Sequence, residues 1–273
     1  MLKKTTRVLR EIAGLYSEKQ IPRAAAALSY YLTMTVFPLV ICLYTLLGNN
    51  YVRAFQVLDF VEQFLSAETT RLIKTFLDYV ARNHSSAMLI AGLTVLVTSA
   101  SAGIRSLQGT IGEIQGGRRF QGLMDYAFSL MLSLVFLAAM YFAIVVTLTG
   151  RTFLEYINGL LPFVDISGSW HWVRFLLLGG IEYVIFCGLY QSARRKAGEY
   201  PCYPGALLAT VGVVLMSSLF SVFIAVSARY PLVYGSLASL ILLMYWLFLC
   251  CQVIYIGAAL NVTLGKLKQE RAS

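Results

Sequence analysis

Glu182 is the only acidic residue deep within any of the chain's long apolar stretches. A carboxylate in such a place is costly to ionise, so it either serves a function or stays neutral with a hydrogen bond to a neighbouring helix. A second stretch holds Ser99 and Ser101 among alanine and glycine, with Arg105 a turn further on. Two readings stand for it: small residues that let helices approach closely, or hydroxyls that line a polar path. Arg105 either marks the membrane interface or reaches back to an anion. Ser236 follows Gly235 at the start of another apolar run, where it caps the helix or turns the helix dipole toward a phosphate or carboxylate. These residues suit binding and movement of a solute rather than bond breaking. Hydrolysis of a phosphodiester with metal help needs clustered carboxylates or histidines. The two histidines, His84 and His171, fall in predicted external loops, and Glu113, Asp125 and Glu199 are scattered. No phosphate-binding glycine loop or nucleophile elbow occurs. No catalytic residue, metal site or cofactor is expected, and the protein is not expected to be an enzyme.

The elements that must hold these residues are membrane helices. Of 273 residues, 58% are apolar and 13% charged, against about 25% charged in soluble domains. A hydrocarbon core about 30 Å thick takes about 20 helical residues to cross. Six stretches qualify: 24–47, 88–104, 126–150, 172–191, 205–228 and 237–261. So many uncharged spans leave too little polar surface to dissolve the chain. The expected fold is all-α: one membrane domain over 1–273, with a basic segment 1–23, a six-helix bundle 24–261 and a tail 262–273.

Charge orients the bundle. Fifteen of the 22 Lys and Arg lie in the N-terminal segment, the loops after spans 2 and 4, and the tail. The positive-inside rule then puts both termini in the cytoplasm of a bacterial inner membrane. The net charge of +9 is met by anionic lipid on that side, and no nucleic acid partner is needed. Protein partners and a homo-oligomer stay open. No cleaved signal is expected, because the first apolar run is too long and lacks a small-residue cleavage site. Cys42, Cys187, Cys250 and Cys251 lie within spans and Cys202 on the cytoplasmic side, so no disulfide is expected.

Residues 8–19 predict an amphipathic helix on the inner surface, with Val8, Ile12 and Leu15 on one side. Pro38 predicts a kink in span 1, since its ring crowds the Met34 carbonyl and removes a donor; Thr33 and Thr35 are placed to satisfy freed backbone groups. The 48–87 loop reads as two amphipathic helices, too short to span, that form an external hairpin between spans 1 and 2. Trp170 and Trp172 suit an outer aromatic belt. Pro204 stands at the first turn of span 5, where a missing donor costs nothing.

Three sets of residues resemble the YihY/BrkB family of bacterial inner-membrane proteins. One is Ala24–Leu28 with Ser29, Tyr30 and Tyr31, followed by Phe37 and Pro38. Another is Ser99, Ala100, Ser101 and Gly103. The last runs from Pro204, Gly205 and Ala206 through Tyr230, Tyr234, Gly235, Ser236 and Leu237 to Trp246, Gly257, Ala258, Leu260 and Asn261. The resemblance implies six helices with both termini inside. It also implies a glutamate where this chain has Ala259, which leaves Glu182 as the available carboxylate. Members of that family are linked to virulence or envelope traits, and one carries an old ribonuclease label; the residues here give a ribonuclease no support. Transport of a small solute or an amphipathic, lipid-like envelope molecule is the expected function. The alternative is a scaffold for envelope assembly that transports nothing.

Overall fold

A computed structural model of the chain describes residues 2–47, 86–117, 123–124, 126–139, 170–193, 201–226 and 237–270. Seven helices account for nearly all of them: α1 Leu2–Glu18, α2 Ile21–Leu47, α3 Ser86–Ile114, α4 Tyr126–Ala139, α5 Trp170–Ser192, α6 Tyr203–Val226 and α7 Leu237–Gln269. Among the described residues the fold is all-α, as expected. Among the described residues four helices are long and apolar enough to cross a bilayer: Ile90–Ile114, Phe175–Ser192, Tyr203–Phe223 and Leu240–Gln269. They correspond to predicted spans 2, 4, 5 and 6. Helix α2 covers predicted span 1, and α4 covers the first half of predicted span 3. The expected hairpin and the turn holding Tyr234, Gly235 and Ser236 lie outside the described residues.

Two helices run further than their apolar stretches suggested. Helix α3 continues ten residues past Ile104 because Leu107, Ile111 and Ile114 keep one face apolar and buried. It ends where Gly116 and Gly117 take positive φ values of 90° and 146°, which glycine adopts without steric cost. Helix α7 is 33 residues long, roughly 50 Å at about 1.5 Å per residue. That exceeds a hydrocarbon core of about 30 Å.

The C-terminal part of α7 is covered by α1. Ile12, Leu15 and Tyr16 of α1 pack against the core. The Tyr16 hydroxyl donates to Gln252 Oε1 at 2.6 Å, and Arg7 Nη2 lies 2.9 Å from Glu270 Oε2. The amphipathic helix predicted for the membrane surface therefore begins earlier and turns its apolar side onto α7. Leu267, near the end of α7, is buried. A break at Lys19 and Gln20 separates α1 from α2, with Gln20 at φ 49° and its carbonyl accepting from the Arg23 and Ala24 amides. The Lys19 ammonium, 2.8 Å from Glu18 Oε1, holds that carboxyl below the usual carboxylate range.

Helix α2 continues through Pro38 to Leu47. Thr33 and Thr35 donate to the Ser29 and Tyr31 carbonyls at 2.8 Å. These bonds do not reach the Met34 carbonyl that Pro38 leaves without a donor, because a hydroxyl on a helix meets the carbonyl one turn before itself.

The described core gathers at one end of the bundle, where α2 and α6 begin and α3, α5 and α7 end. Ile21, Ala25, Ile111, Tyr190, Ala206, Tyr255 and Ala258 are its most buried members. Helix α7 is central there, packing against α6, α2 and α1.

Candidate functional site

Two polar arrangements occupy that end. The first is the α6–α7 crossing. A Cβ on Gly205 would strike the Gly257 carbonyl oxygen and come within 2.5 Å of Asn261 Nδ2. A Cβ on Gly257 would lie 2.6 Å from the Gly205 carbonyl oxygen and from the Tyr190 hydroxyl. The two backbones touch, which only glycine allows. Asn261 uses this closeness to cap α6 from another helix. The first turn of a helix carries amides without partners; here Pro204 has none, and the Gly205 amide donates to Asn261 Oδ1 at 2.7 Å. Tyr190 completes the lock by donating its hydroxyl to the Ile254 carbonyl at 2.6 Å.

The second is a polar seam between α3, α4 and α5. Ser101, Gln108 and Gln115 recur every seven residues, so they share one face of α3. Gln108 sits at the centre. Its Nε2 donates to Ser192 Oγ of α5 at 3.1 Å, and its Oε1 accepts from Ser129 Oγ of α4 at 3.2 Å. Gln115 Nε2 donates to the Tyr190 carbonyl at 3.4 Å. On either side of the satisfied Gln108 a buried polar atom lacks a partner: Ser101 Oγ toward the bundle centre, Gln115 Oε1 toward the end.

The residues expected to form a path are distributed as follows. Ser101 is fully buried. Ser99 turns back on its own helix, donating to the Val95 carbonyl. The Arg105 guanidinium lies over the Tyr126 ring, 4.4 Å from its centroid, a cation–π contact rather than an ion pair. Glu182 is half-buried and shares a face of α5 with Phe186, Leu189 and Ala193, all buried, so its carboxylate is directed into the bundle. Cys250 of α7 stands within electrostatic reach of it. No described contact joins Glu182 to Ser99, Ser101 or Arg105, but their depths can be compared. Ser101 is seven residues before Gln108, and Glu182 ten before Ser192, so the two differ by about 5 Å along the bundle. The register through α7 agrees: Tyr255 faces Ser106 and Thr110, and Cys250 stands five residues before Tyr255. Ala259, where the resemblance noted from sequence implied a glutamate, is fully buried nine residues beyond Cys250, about 13 Å away in depth.

The motif residues divide between the two arrangements and the surface. Pro204, Gly205 and Asn261 meet at the crossing. Trp246 Nε1 donates to Ser217 Oγ at 3.3 Å, pairing α7 with α6 further along. Tyr30 is half exposed and meets Tyr31 edge to face at 5.8 Å. Pro38 is buried within α2.

Gln108, Gln115, Ser129, Ser192 and Tyr190 were not singled out from sequence. The signal was present for α3, where three polar residues recur every seven positions in an apolar helix. Ser129, Ser192 and Tyr190 gave none, because a serine or tyrosine in such a helix is unremarkable until its neighbour is known. Among the described residues no group of three or more His, Cys, Asp or Glu could hold a metal.

Apolar helices of spanning length, locked by glycine contacts and polar side chains rather than by charge, define a polytopic membrane protein. Residues 12–273 match the family described as Virulence factor BrkB, and the chain belongs to that family. It is 25% identical over 267 residues to a Bacillus subtilis protein, YfkH, whose name calls it ribonuclease-like; the match covers 96% of each chain. It is also 25% identical to a UPF0761 membrane protein of Aromatoleum aromaticum, over 94% of this chain and 63% of that one. A UPF0761 membrane protein of Alteromonas mediterranea is 22% identical over 94% of this chain and 89% of its own. No solved structure matches.

Proposed function

We propose that this protein spans the bacterial inner membrane six times, with both termini inside, and moves a small solute or an amphipathic envelope-related molecule across it. One observation carries the reading: Ser101 is fully buried, yet its hydroxyl has no partner. Thr94 and Thr98 on the same helix return their hydroxyls to carbonyls one turn back, at 2.7 and 2.8 Å, as lipid-embedded helices require. Leaving a buried hydroxyl unpaired costs about 1–3 kcal/mol, a cost that a passing polar ligand or water relieves. Glu182, directed into the bundle at nearly the same depth, supplies the charge that such a path would use. The basic inner loops and Arg105 suit contact with anionic lipid.

Purified protein in vesicles, tested with a broad panel of solutes and labelled lipids under ion gradients, should show flux or flip-flop. Glu182→Gln should lower it at least tenfold. An empty panel, together with a silent Glu182→Gln in cells, sinks the transport reading.

A scaffold for envelope assembly is the second reading, and the docking of α1 along α7 favours it by presenting a fixed helical pair at the inner end. Crosslinking that captures a stable protein partner through α1 would support it. We do not propose an enzyme, and the ribonuclease-like name of the Bacillus subtilis relative is not carried to this chain. The described part of its inner end offers no acid or histidine cluster for cleaving RNA.

A further inference from the structure

We infer that Gln108, held between Ser129 and Ser192, is the inner constriction of a polar path that runs along α3 between Ser101 and the end of the bundle. The inference rests on the transport reading and adds to it where the path is shut. Ser101, Gln108 and Gln115 lie on one face of α3, and that face meets α4 and α5 at Gln108 and α5 again at Gln115. Buried polar atoms without partners stand on both sides of the bridge, Ser101 Oγ and Gln115 Oε1, while Gln108 between them is paired at both ends of its amide. Each orphan destabilises the packed state; α6 and α7 carry others, but among the described residues only on α3 do two stand in line on one helix face with a paired amide between them. Orphans flanking a satisfied bridge are the pattern of a path whose ends accept polar guests and whose middle is closed by its own hydrogen bonds.

The bridge is also suited to opening. Its two bonds, at 3.1 and 3.2 Å, join neutral groups, and such a bond contributes only about 1 kcal/mol net. Ser192 donates its own hydroxyl to the Leu189 carbonyl at 2.9 Å, so its donor stays paired when Gln108 swings away. The α6–α7 crossing nearby has less freedom, since its two backbones touch at Gly205 and Gly257.

The test is thiol labelling in vesicles, which needs no knowledge of the substrate. Full-length protein carrying Ser101→Cys is exposed to a membrane-impermeant thiol reagent on the side bearing the C-terminal end of α7. Modification of residue 101 is read by peptide mass spectrometry, so the native cysteines can remain. Lys268→Cys, at an exposed position, reports orientation and should label at once. Ser101→Cys alone should label slowly. Adding Gln108→Ala should raise its rate at least tenfold, and Ser129→Ala, which removes one bond from the α4 side, about threefold. Rapid labelling of residue 101 with Gln108 intact overturns the inference. So does an unchanged rate in Gln108→Ala and Ser129→Ala proteins that remain folded and monodisperse; if Gln108→Ala does not fold, Ser129→Ala decides. Gated labelling with an empty flux panel would count against the transport reading alone, whereas flux with ungated labelling would count against the constriction alone.

Discussion

The α6–α7 crossing and the α3–α4–α5 seam lie at the same end of the bundle but are built from opposite materials. At the crossing, Gly205 and Gly257 bring two backbones into contact, and Asn261 spends its carbonyl on a helix-end amide. At the seam, helices are kept apart by side chains, and Gln108 bridges the gap with an amide. Backbone contact cannot relax without unpacking a helix. A side-chain bridge relaxes by rotating a bond. The contrast teaches that one α-helical bundle can hold a rigid joint and a yielding one side by side, and that buried polar atoms without partners occur at both, Asn261 Nδ2 at the first and Ser101 Oγ and Gln115 Oε1 at the second.

Substitutions that break this contrast rank by how much backbone they disturb. Gly205→Ala should be the most damaging, because the new methyl meets a carbonyl oxygen and the Asn261 amide. It should cost about 3 kcal/mol or more, read as poor expression or a sharply lowered melting temperature in detergent. Asn261→Ala should cost about 2 kcal/mol, from a lost cap and a cavity, in the same assay. Gln108→Leu should cost about 1 kcal/mol, since it leaves Ser129 and Ser192 without their bridge but fills the space. Ser101→Ala should leave the melting temperature unchanged or raise it, because it deletes an orphan rather than a bond, while lowering any flux several-fold. A loss of stability in Ser101→Ala would show that the hydroxyl has a structural partner and would erase the distinction between the two regions.

The smallest effects belong to the surface. Glu270→Ala should cost less than about 1 kcal/mol, because both it and Arg7 are about half exposed, and the loss should vanish in high salt. The Glu18–Lys19 contact gives a small pH effect with a defined sign. Pairing lowers the Glu18 carboxyl below its unfolded value, so its contribution is complete above the ordinary carboxylate pKa. It fades as pH falls through the lowered value. A titration of α1 helicity at low ionic strength measures it, and a gain on acidification would contradict it.

Legibility followed length scale. The apolar spans of α3, α5, α6 and α7 were readable because each is a local property of about twenty residues against a bilayer of known thickness. Their ends were less readable: α3 and α7 continue past the apolar stretch because a neighbour covers one face, and a neighbour is not a local property. The same limit explains α1, whose apolar stripe was visible but whose partner was not. Gly205 and Asn261 stood out as motif residues without a role, which became a cap only when two positions 56 apart in sequence were brought together.

What the sequence by itself determined is the class: an all-helical membrane bundle, its apolar spans, and a single carboxylate deep within them. These follow from composition and period, which water and lipid impose on every chain alike. Only the tertiary structure decided which polar groups are satisfied. Ser99 and Ser101 are two residues apart and chemically identical, yet one bonds its own helix and the other stands alone. That difference depends on which face each presents to another helix, and a face has no neighbour until the bundle has packed.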